Sequence, residues 1–349
     1  MTATIAVGTD KGLFLVDKNG SGWSVSDPQF LGWRVTAFEQ LQSGSFLAGT
    51  TSEWFGPAVQ RSPDARTWTQ VAPGPRFGPD DGAELQQMWR FHETPDAVYL
   101  GVAEAGLFRS DDEGLQWHHV SGLRNHPSAS IWEPGAGGMC AHSILHHPSD
   151  HDRMWVGVSA VGVFRTDNGG DSWELKNSGV EVTGPPEAST GHDIGYCVHA
   201  LALDPNDPDV LYRQDHRGLY RTDDGADTWL DANDGVPSRF GFPLVMDHST
   251  GNLFAVPQTS DEHRVPVDGR LRIYRSDDGA RSWHDSSDGL AAAPGYAGVL
   301  RTSMTTDNAG LVAFGTTSGE LCISEDSGQS WTAVDATLPR IFCVATATF

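Results

Sequence analysis

An all-β chain built from one repeated unit is predicted by three features of the sequence. A motif of the form Ser/Thr-x-Asp-x-Gly-x-x-Trp recurs along its length. Between copies lie short apolar or alternating runs, four to a repeat, which is the pattern of strands rather than of helices. The 40 glycines and 20 prolines provide many turns and leave little room for long helices.

The copies set the organisation. In order they are VDKNGSGW (16–23, keeping only the glycine and the tryptophan), SPDARTW (62–68, one residue short), SDDEGLQW (110–117), TDNGGDSW (166–173), TDDGADTW (222–229), SDDGARSW (276–283) and SEDSGQSW (324–331). Their first positions, 16, 62, 110, 166, 222, 276 and 324, are separated by 46, 48, 56, 56, 54 and 48 residues. A period of this size with four strands per repeat is that of propeller blades, which manage exposed sheet edges by radial repetition. The fifth repeat shows the internal order: runs at 196–205, 209–215, 218–224 and 228–232. The chain is therefore read as a single seven-bladed β-propeller over residues 1–349. TIAVGT near the N-terminus matches a second strand and has no first strand before it. RIFCVATATF (340–349) follows the last motif with no repeat of its own, so this C-terminal strand is expected to pair into the N-terminal blade and close the ring.

The motif resembles the Asp-box, or BNR repeat, of sialidases, sortilin-type receptors, xyloglucanases and photosystem assembly factors. MCAHSILHHP, YCVHALALDP, YRQDHRGLYRTDDG and PSRFGFPLVMDH are similar to single-domain bacterial BNR proteins described as sialidase-like or glycosyl-hydrolase-like. The resemblance implies a box between the third and fourth strands of each blade, on the face opposite the binding face. The adjacent acids of YRTDDGADTW could be taken for a catalytic pair or a calcium loop. A group repeated at every blade is a structural device, however, and the twelve-residue spacing and terminal Glu of an EF-hand are missing. The hydroxyl and the aspartate can bond turn amides, the glycine permits positive φ, and the tryptophan packs under the sheet.

Composition narrows the partners. The formal charge is −23, and the only lysines are Lys11, Lys18 and Lys176. Such a surface repels phosphate backbones and anionic lipid, so neither nucleic acid nor membrane is expected. No run reaches the length of a membrane helix, and the N-terminus has no secretory-signal pattern, so a soluble cytoplasmic protein is expected. Cys140, Cys197, Cys322 and Cys343 form no CxxC pair and read as small buried hydrophobes.

Chemistry is expected at the channel mouth formed by the starts of the first strands and the loops between second and third strands. The longest insertions, 124–139 and 179–196, lead into matched openings, Cys140-Ala-His142 and Cys197-Val-His199. With His216 of QDHRG, these histidines form the proposed centre, and Glu133 is the accompanying acid. Three readings stay open: a divalent metal held by His142, His199 and His216; a hydrogen-bonded channel lining; and general acid/base catalysis. Asp193, Glu187 and Glu104 are further acids, but no pair stands out for a two-carboxylate glycosidase. Arg34, Arg90, Arg301 and Arg340 fall near first-strand starts and would bind a carboxylate or phosphate. His192, Gln214 and Trp89 complete the expected ligand set, and Trp33, Trp54 and Trp132 could stack on rings or simply pack. Tyrosines are few, and no RIP-type segment is present, which argues against true sialidase chemistry. The resulting expectation is a hydrolase-like or lyase-like enzyme acting on a small anionic or sugar-like ligand. The alternatives are a non-catalytic ligand- or protein-binding module and a metal-dependent enzyme.

Overall fold

The computed structural model describes residues 3–20, 22–79, 81–182 and 194–349. The chain begins with β1 (Ala3–Thr9), β2 (Gly12–Asn19) and β3 (Gly22–Val25). Five four-stranded sheets follow: β4 (Arg34–Gln40), β5 (Phe46–Ser52), β6 (Gly56–Ser62) and β7 (Thr69–Gln70); β8 (Gln87–Glu93), β9 (Val98–Ala103), β10 (Gly106–Ser110) and β11 (His118–His119); β12 (Ala141–His147), β13 (Asp150–Val158), β14 (Gly162–Asp167) and β15 (Glu174–Leu175); β16 (Val198–Leu203), β17 (Leu211–Asp215), β18 (Leu219–Thr222) and β19 (Leu230–Asp231); β20 (Gly241–Asp247), β21 (Asn252–Pro257), β22 (Tyr274–Ser276) and β23 (His284–Asp285). The last strands are β24 (Val299–Thr306), β25 (Val312–Thr316), β26 (Leu321–Ser324), β27 (Thr332–Ala333) and β28 (Ile341–Thr348). Among the described residues, helix is confined to short 3-10 turns such as Ala129–Ile131 and Val267–Gly269, and no helix is long and apolar enough to cross a membrane.

The sequence reads seven four-stranded units, whereas hydrogen bonding joins the strands into six sheets. The sixth has eight strands, in the order β27-β26-β25-β24-β28-β1-β2-β3. A single parallel bridge, Thr302 to Cys343, connects its two halves. The C-terminal β28 pairs antiparallel with β1, from Ala3–Thr348 to Thr9–Ile341.

The repeated Ser/Thr-x-Asp motifs sit in the turns between third and fourth strands. Ser110–Trp117 links β10 to β11, and Thr222–Trp229 links β18 to β19. The hydroxyl of Thr222 donates to Asp224 Oδ1 at 2.6 Å, and the same oxygen accepts the Thr228 N–H at 2.8 Å. Ser110/Asp112, Ser276/Asp278 and Ser324/Asp326 repeat the arrangement. The motif tryptophans donate to backbone carbonyls: Trp229 to Lys176, Trp283 to Ala232 and Trp331 to Ser286. Every acid in this set is occupied by its own turn.

Apolar residues of adjacent sheets interleave. Tyr99 and Leu107 pack with Ile144, Met154, Val156 and Phe164 in one cluster, and Tyr212 and Leu219 pack with Leu244, Leu253 and Tyr274 in another. The first strands also pack on one another in succession: β4 on β8, β8 on β12, β12 on β16, β16 on β20, β20 on β24, β24 on β28 and β28 on β4. Each carries a register shift against its second strand, as between Val35 and Ala37, Met88 and Arg90, Ala141 and Ser143, and Val198 and Ala200, and β12 has a second between His146 and His147. Such a bulge adds a residue on one side and turns its side chain out of the pleat.

Several bulged side chains reach the next first strand. Thr36 Oγ1 donates to Met88 O at 2.7 Å, His142 Nε2 to Val198 O at 2.9 Å and Thr302 Oγ1 to Phe342 O at 2.9 Å. His199 Nδ1 bonds Gly241 O in the same way. The matched histidines thus occupy a repeated seam position that threonine fills elsewhere. Close approach at the seam also explains a glycine in second strands. A Cβ on Gly101 would lie 2.0 Å from Ala141 O.

Gly101→Ala is therefore expected to lower stability by about 1–3 kcal/mol through overpacking. Gly22→Ala, where a Cβ meets nothing closer than 3.9 Å, should leave the unfolding midpoint almost unchanged. Denaturant unfolding of the two variants compares them.

Candidate functional site

The first strands line a central cavity of about 320 Å3, whose walls include Arg90, His142, His199, Met246, Arg301 and Thr305. At the end where these strands begin, Arg301 lies 5.9 Å from the Trp89 ring and 4.8 Å from the Phe242 ring. It hydrogen-bonds Cys197, and its Nε has no partner. No carboxylate pairs with it among the described residues, although the chain carries twice as many acids as Lys and Arg together. Burial pulls its pKa down, while the Cys197 and Cys140 thiols oppose that shift. The indole N–H of Trp89 sits beside the Cys140 sulfur with no oxygen acceptor.

The two seam histidines differ chemically. A carbonyl oxygen only accepts, so His142 carries its proton on Nε2, toward Val198 O, and its Nδ1 faces Ser143 Oγ at 3.1 Å. Both nitrogens are used. His199 has the opposite tautomer: Nδ1–H donates to Gly241 O, leaving a buried Nε2 lone pair without a partner. The His216 ring lies 4.7 Å from that of His199. Its Nδ1 is 3.5 Å from Asp261 Oδ2, near enough for attraction but without a hydrogen bond.

The turn carrying His216 is held from below. Asp215 accepts the N–H groups of Arg217 and Gly218 at 2.6 and 3.0 Å. Its other oxygen lies 3.1 Å from Arg213 Nη2, and Arg213 Nη1 donates to Asn177 at 2.9 Å. Arg213 and Asp215 are both fully buried, so this loop is positioned by a desolvated ion pair.

Burial keeps these imidazoles neutral. Desolvation, followed by the Arg301 charge, pushes His142 down to about 3 and His199 well below its usual value. His216 falls to about 4 through burial, against the pull of Asp261. Further along the cavity, burial lowers His92 to about 3, and its Nε2 lies 2.7 Å from His146 Nδ1. Glu39 is raised to about 7, mainly by desolvation.

Other expected residues lie elsewhere. Arg34 pairs with Asp10 at 2.8 Å, and Arg34 and Arg340 both lie over the Phe342 ring, so they form a separate group. Arg90 is exposed and faces the cavity near His92. Gln214 is structural: its Nε2 donates to Asp215 O, Gly218 O and Arg239 O. Glu133 is exposed on its loop and has no bonded partner among the described residues. Trp132 is half-buried and packs against the core on Phe164 at 5.3 Å. His192, Glu187 and Asp193 lie outside the described residues. Glu104 borders a different hollow with Phe77, Glu84 and Arg124.

The metal reading also changes. The ligand atoms of Cys197, His199 and His216 lie within 4.8 Å of one another, while His142 has no lone pair to spare. Cys197 was expected to be a small buried hydrophobe. The Cys-x-His spacing brings it to His199, but the bulge that turns His199 toward the β17–β18 loop has no signature in the sequence.

No protein-family profile matches the chain. A curated relative, the oligoxyloglucan-reducing end-specific xyloglucanase of Emericella nidulans, is 26% identical over 208 residues, covering 57% of this chain and 24% of that protein. The chain thus spans about a quarter of that relative's length. Among solved structures, an ancestral GH74 enzyme aligns with a TM-score of 0.56 at 15% identity, over 90% of this chain and 38% of that one. The WD40 β-propeller domain of Doa1 aligns at 0.52 with 10% identity, over 95% and 88%. The fold is that of a β-propeller.

Neutral buried histidines fix the sign of the acid response. In the unfolded chain they bind protons below about 6.5, which the folded chain resists until about 3 to 4. Stability is therefore expected to fall as pH drops from 6.5 toward 4. Glu39 acts oppositely, since its stabilisation is full below the unfolded value near 4.5 and is lost as pH rises through about 7. Glu39→Gln should steepen the loss on acidification, as read from denaturation midpoints between pH 4.5 and 6.5.

Proposed function

We propose that this chain is a carbohydrate-binding propeller of hydrolase type, taking a sugar that carries an acidic group at the mouth around Arg301. The observation that carries this reading is a guanidinium beside two aromatic rings, with no carboxylate partner among the described residues of a strongly acidic protein. A ligand carboxylate would complete it by a charge-assisted bond. The end of the sheets where the first strands begin also exposes aromatic surface suited to sugar faces. Trp54 is 88% exposed, Phe55 79% and Tyr296 71%, and Phe55 stacks on Trp33 at 6.0 Å. The xyloglucanase relative agrees with a carbohydrate ligand and with glycoside hydrolysis as the reaction class.

The proposal includes seven blades in a closed ring. The eight-stranded sheet is then two blades, β24–β27 and β28-β1-β2-β3, touching through one bridge. Successive packing of the first strands and the β28–β1 pairing support it. The Asp-box turns lie at the other end of the sheets and take no part in binding.

A panel of neutral and uronic-acid oligosaccharides, including xyloglucan fragments, tests the reading by calorimetry and product analysis. An acidic sugar should bind, and Arg301→Gln should weaken it at least about tenfold, the scale of one charged hydrogen bond. Binding without turnover would identify a non-catalytic module. Equal affinity in wild type and Arg301→Gln would remove the site.

A further inference from the structure

The pair of rings facing Cys197 has a use independent of any sugar. We propose that Cys197, His199 and His216 form a binding site for a borderline-soft divalent cation, zinc above all, with one coordination position left to solvent or an anion.

The donor set is the first argument. One sulfur and two imidazole nitrogens lie within 4.8 Å of one another, and a tetrahedral ion with bonds of about 2.0–2.3 Å would draw them in to about 3.4–3.8 Å apart. Thiolate and imidazole together select zinc or copper over calcium and magnesium.

The state of the donors is the second. His199 is 1% exposed, and its Nδ1–H is fixed on the Gly241 carbonyl. Its Nε2 therefore carries a lone pair, buried and without a hydrogen-bond partner. A buried acceptor left unsatisfied is destabilising unless something fills it. A backbone carbonyl on the far nitrogen is also what holds metal-bound histidines in the ligating tautomer. At His216 the carboxylate of Asp261 lies 3.5 Å from Nδ1, near enough to attract the ring but without a hydrogen bond. The buried Asp215–Arg213 pair fixes the turn that brings it there.

Charge gives the third argument and defines the open position. Burial raises the Cys197 thiol above its usual range, and the nearby guanidinium of Arg301 opposes this. Binding would replace the thiol proton by the metal, with one proton released per ion. A divalent ion, one thiolate and the Arg301 cation together leave two positive charges in a confined mouth. That excess favours an anionic fourth ligand, hydroxide or a carboxylate. His142 stays outside the site because both of its nitrogens are engaged by Ser143 and Val198.

The test uses the full-length protein, stripped with chelator and titrated with zinc and with cobalt as a spectroscopic probe. One equivalent of zinc should bind, and cobalt should give the thiolate charge-transfer and tetrahedral ligand-field bands. Cys197→Ala should abolish the charge-transfer band and weaken zinc binding at least about tenfold, as should His216→Ala, which removes a loop side chain and no seam contact. His142→Gln should keep both bands. Circular dichroism and thermal melting of each apo variant show whether it folds, and the two ligand variants lie in different elements. Less than a tenth of an equivalent of zinc in the wild type would overturn the site. So would a cobalt spectrum unchanged in both Cys197→Ala and His216→Ala. Neither result depends on sugar binding, which is read separately.

Discussion

Neighbouring sheets of this protein are joined where the bulged start of one first strand meets the backbone of the next. The bulge lifts one side chain out of the pleat, and that side chain donates a hydrogen bond to a carbonyl across the seam. Thr36, His142, His199 and Thr302 each do this. Second-strand glycines such as Gly101 make the approach close enough, since even a methyl group would strike the neighbouring carbonyl. At the other end of the sheets, the turns carrying the repeated motif hold third and fourth strands through hydroxyl, carboxylate and amide bonds. The fold is thus closed at one end by turn chemistry and at the other by seam chemistry.

The candidate site grows out of the seam. A threonine at a bulge has spent its hydroxyl once it bonds the next strand. A histidine has a second nitrogen, and where that nitrogen points decides what the residue becomes. His142 turns its second nitrogen to Ser143 and is complete. His199 leaves its second nitrogen without a partner, with His216 and Cys197 close by and beside a guanidinium that has no carboxylate partner among the described residues. Burial keeps the imidazoles neutral, so they act as lone-pair donors and leave the positive charge to Arg301. The two proposed uses, an acidic ligand and a soft cation, would draw on these same groups in one mouth.

The strand order was legible because it rests on local chemistry. The motif marks a turn wherever it occurs, and the copy at 222–229 lies between β18 and β19 as that chemistry requires. The C-terminal run 340–349 was legible as a strand lacking its own repeat, and β28 pairs with β1. The sheet count was not legible, because one bridge at Thr302 merges two four-stranded groups. Site residues were legible only in part. Cys-x-His and QDHRG mark the segments that bring the His199 and His216 rings together, yet the tautomers of His142 and His199 depend on which carbonyl each ring meets across a seam. Arg34 and Arg340 share the position of Arg301 near a strand start, but Phe342 gathers them into another group. Gln214 looked available, and the backbone around it takes all its hydrogens.

The central claim is that His199 is a neutral imidazole protonated on Nδ1, with an open Nε2 in the mouth. Nitrogen-15 NMR of the histidine-labelled protein, with His199→Gln to assign its signals, measures this directly. The account predicts one proton on Nδ1, an unprotonated Nε2, and no titration of this ring as pH falls from 7 to 5. A proton on Nε2, or a titration near the ordinary histidine value, would contradict it.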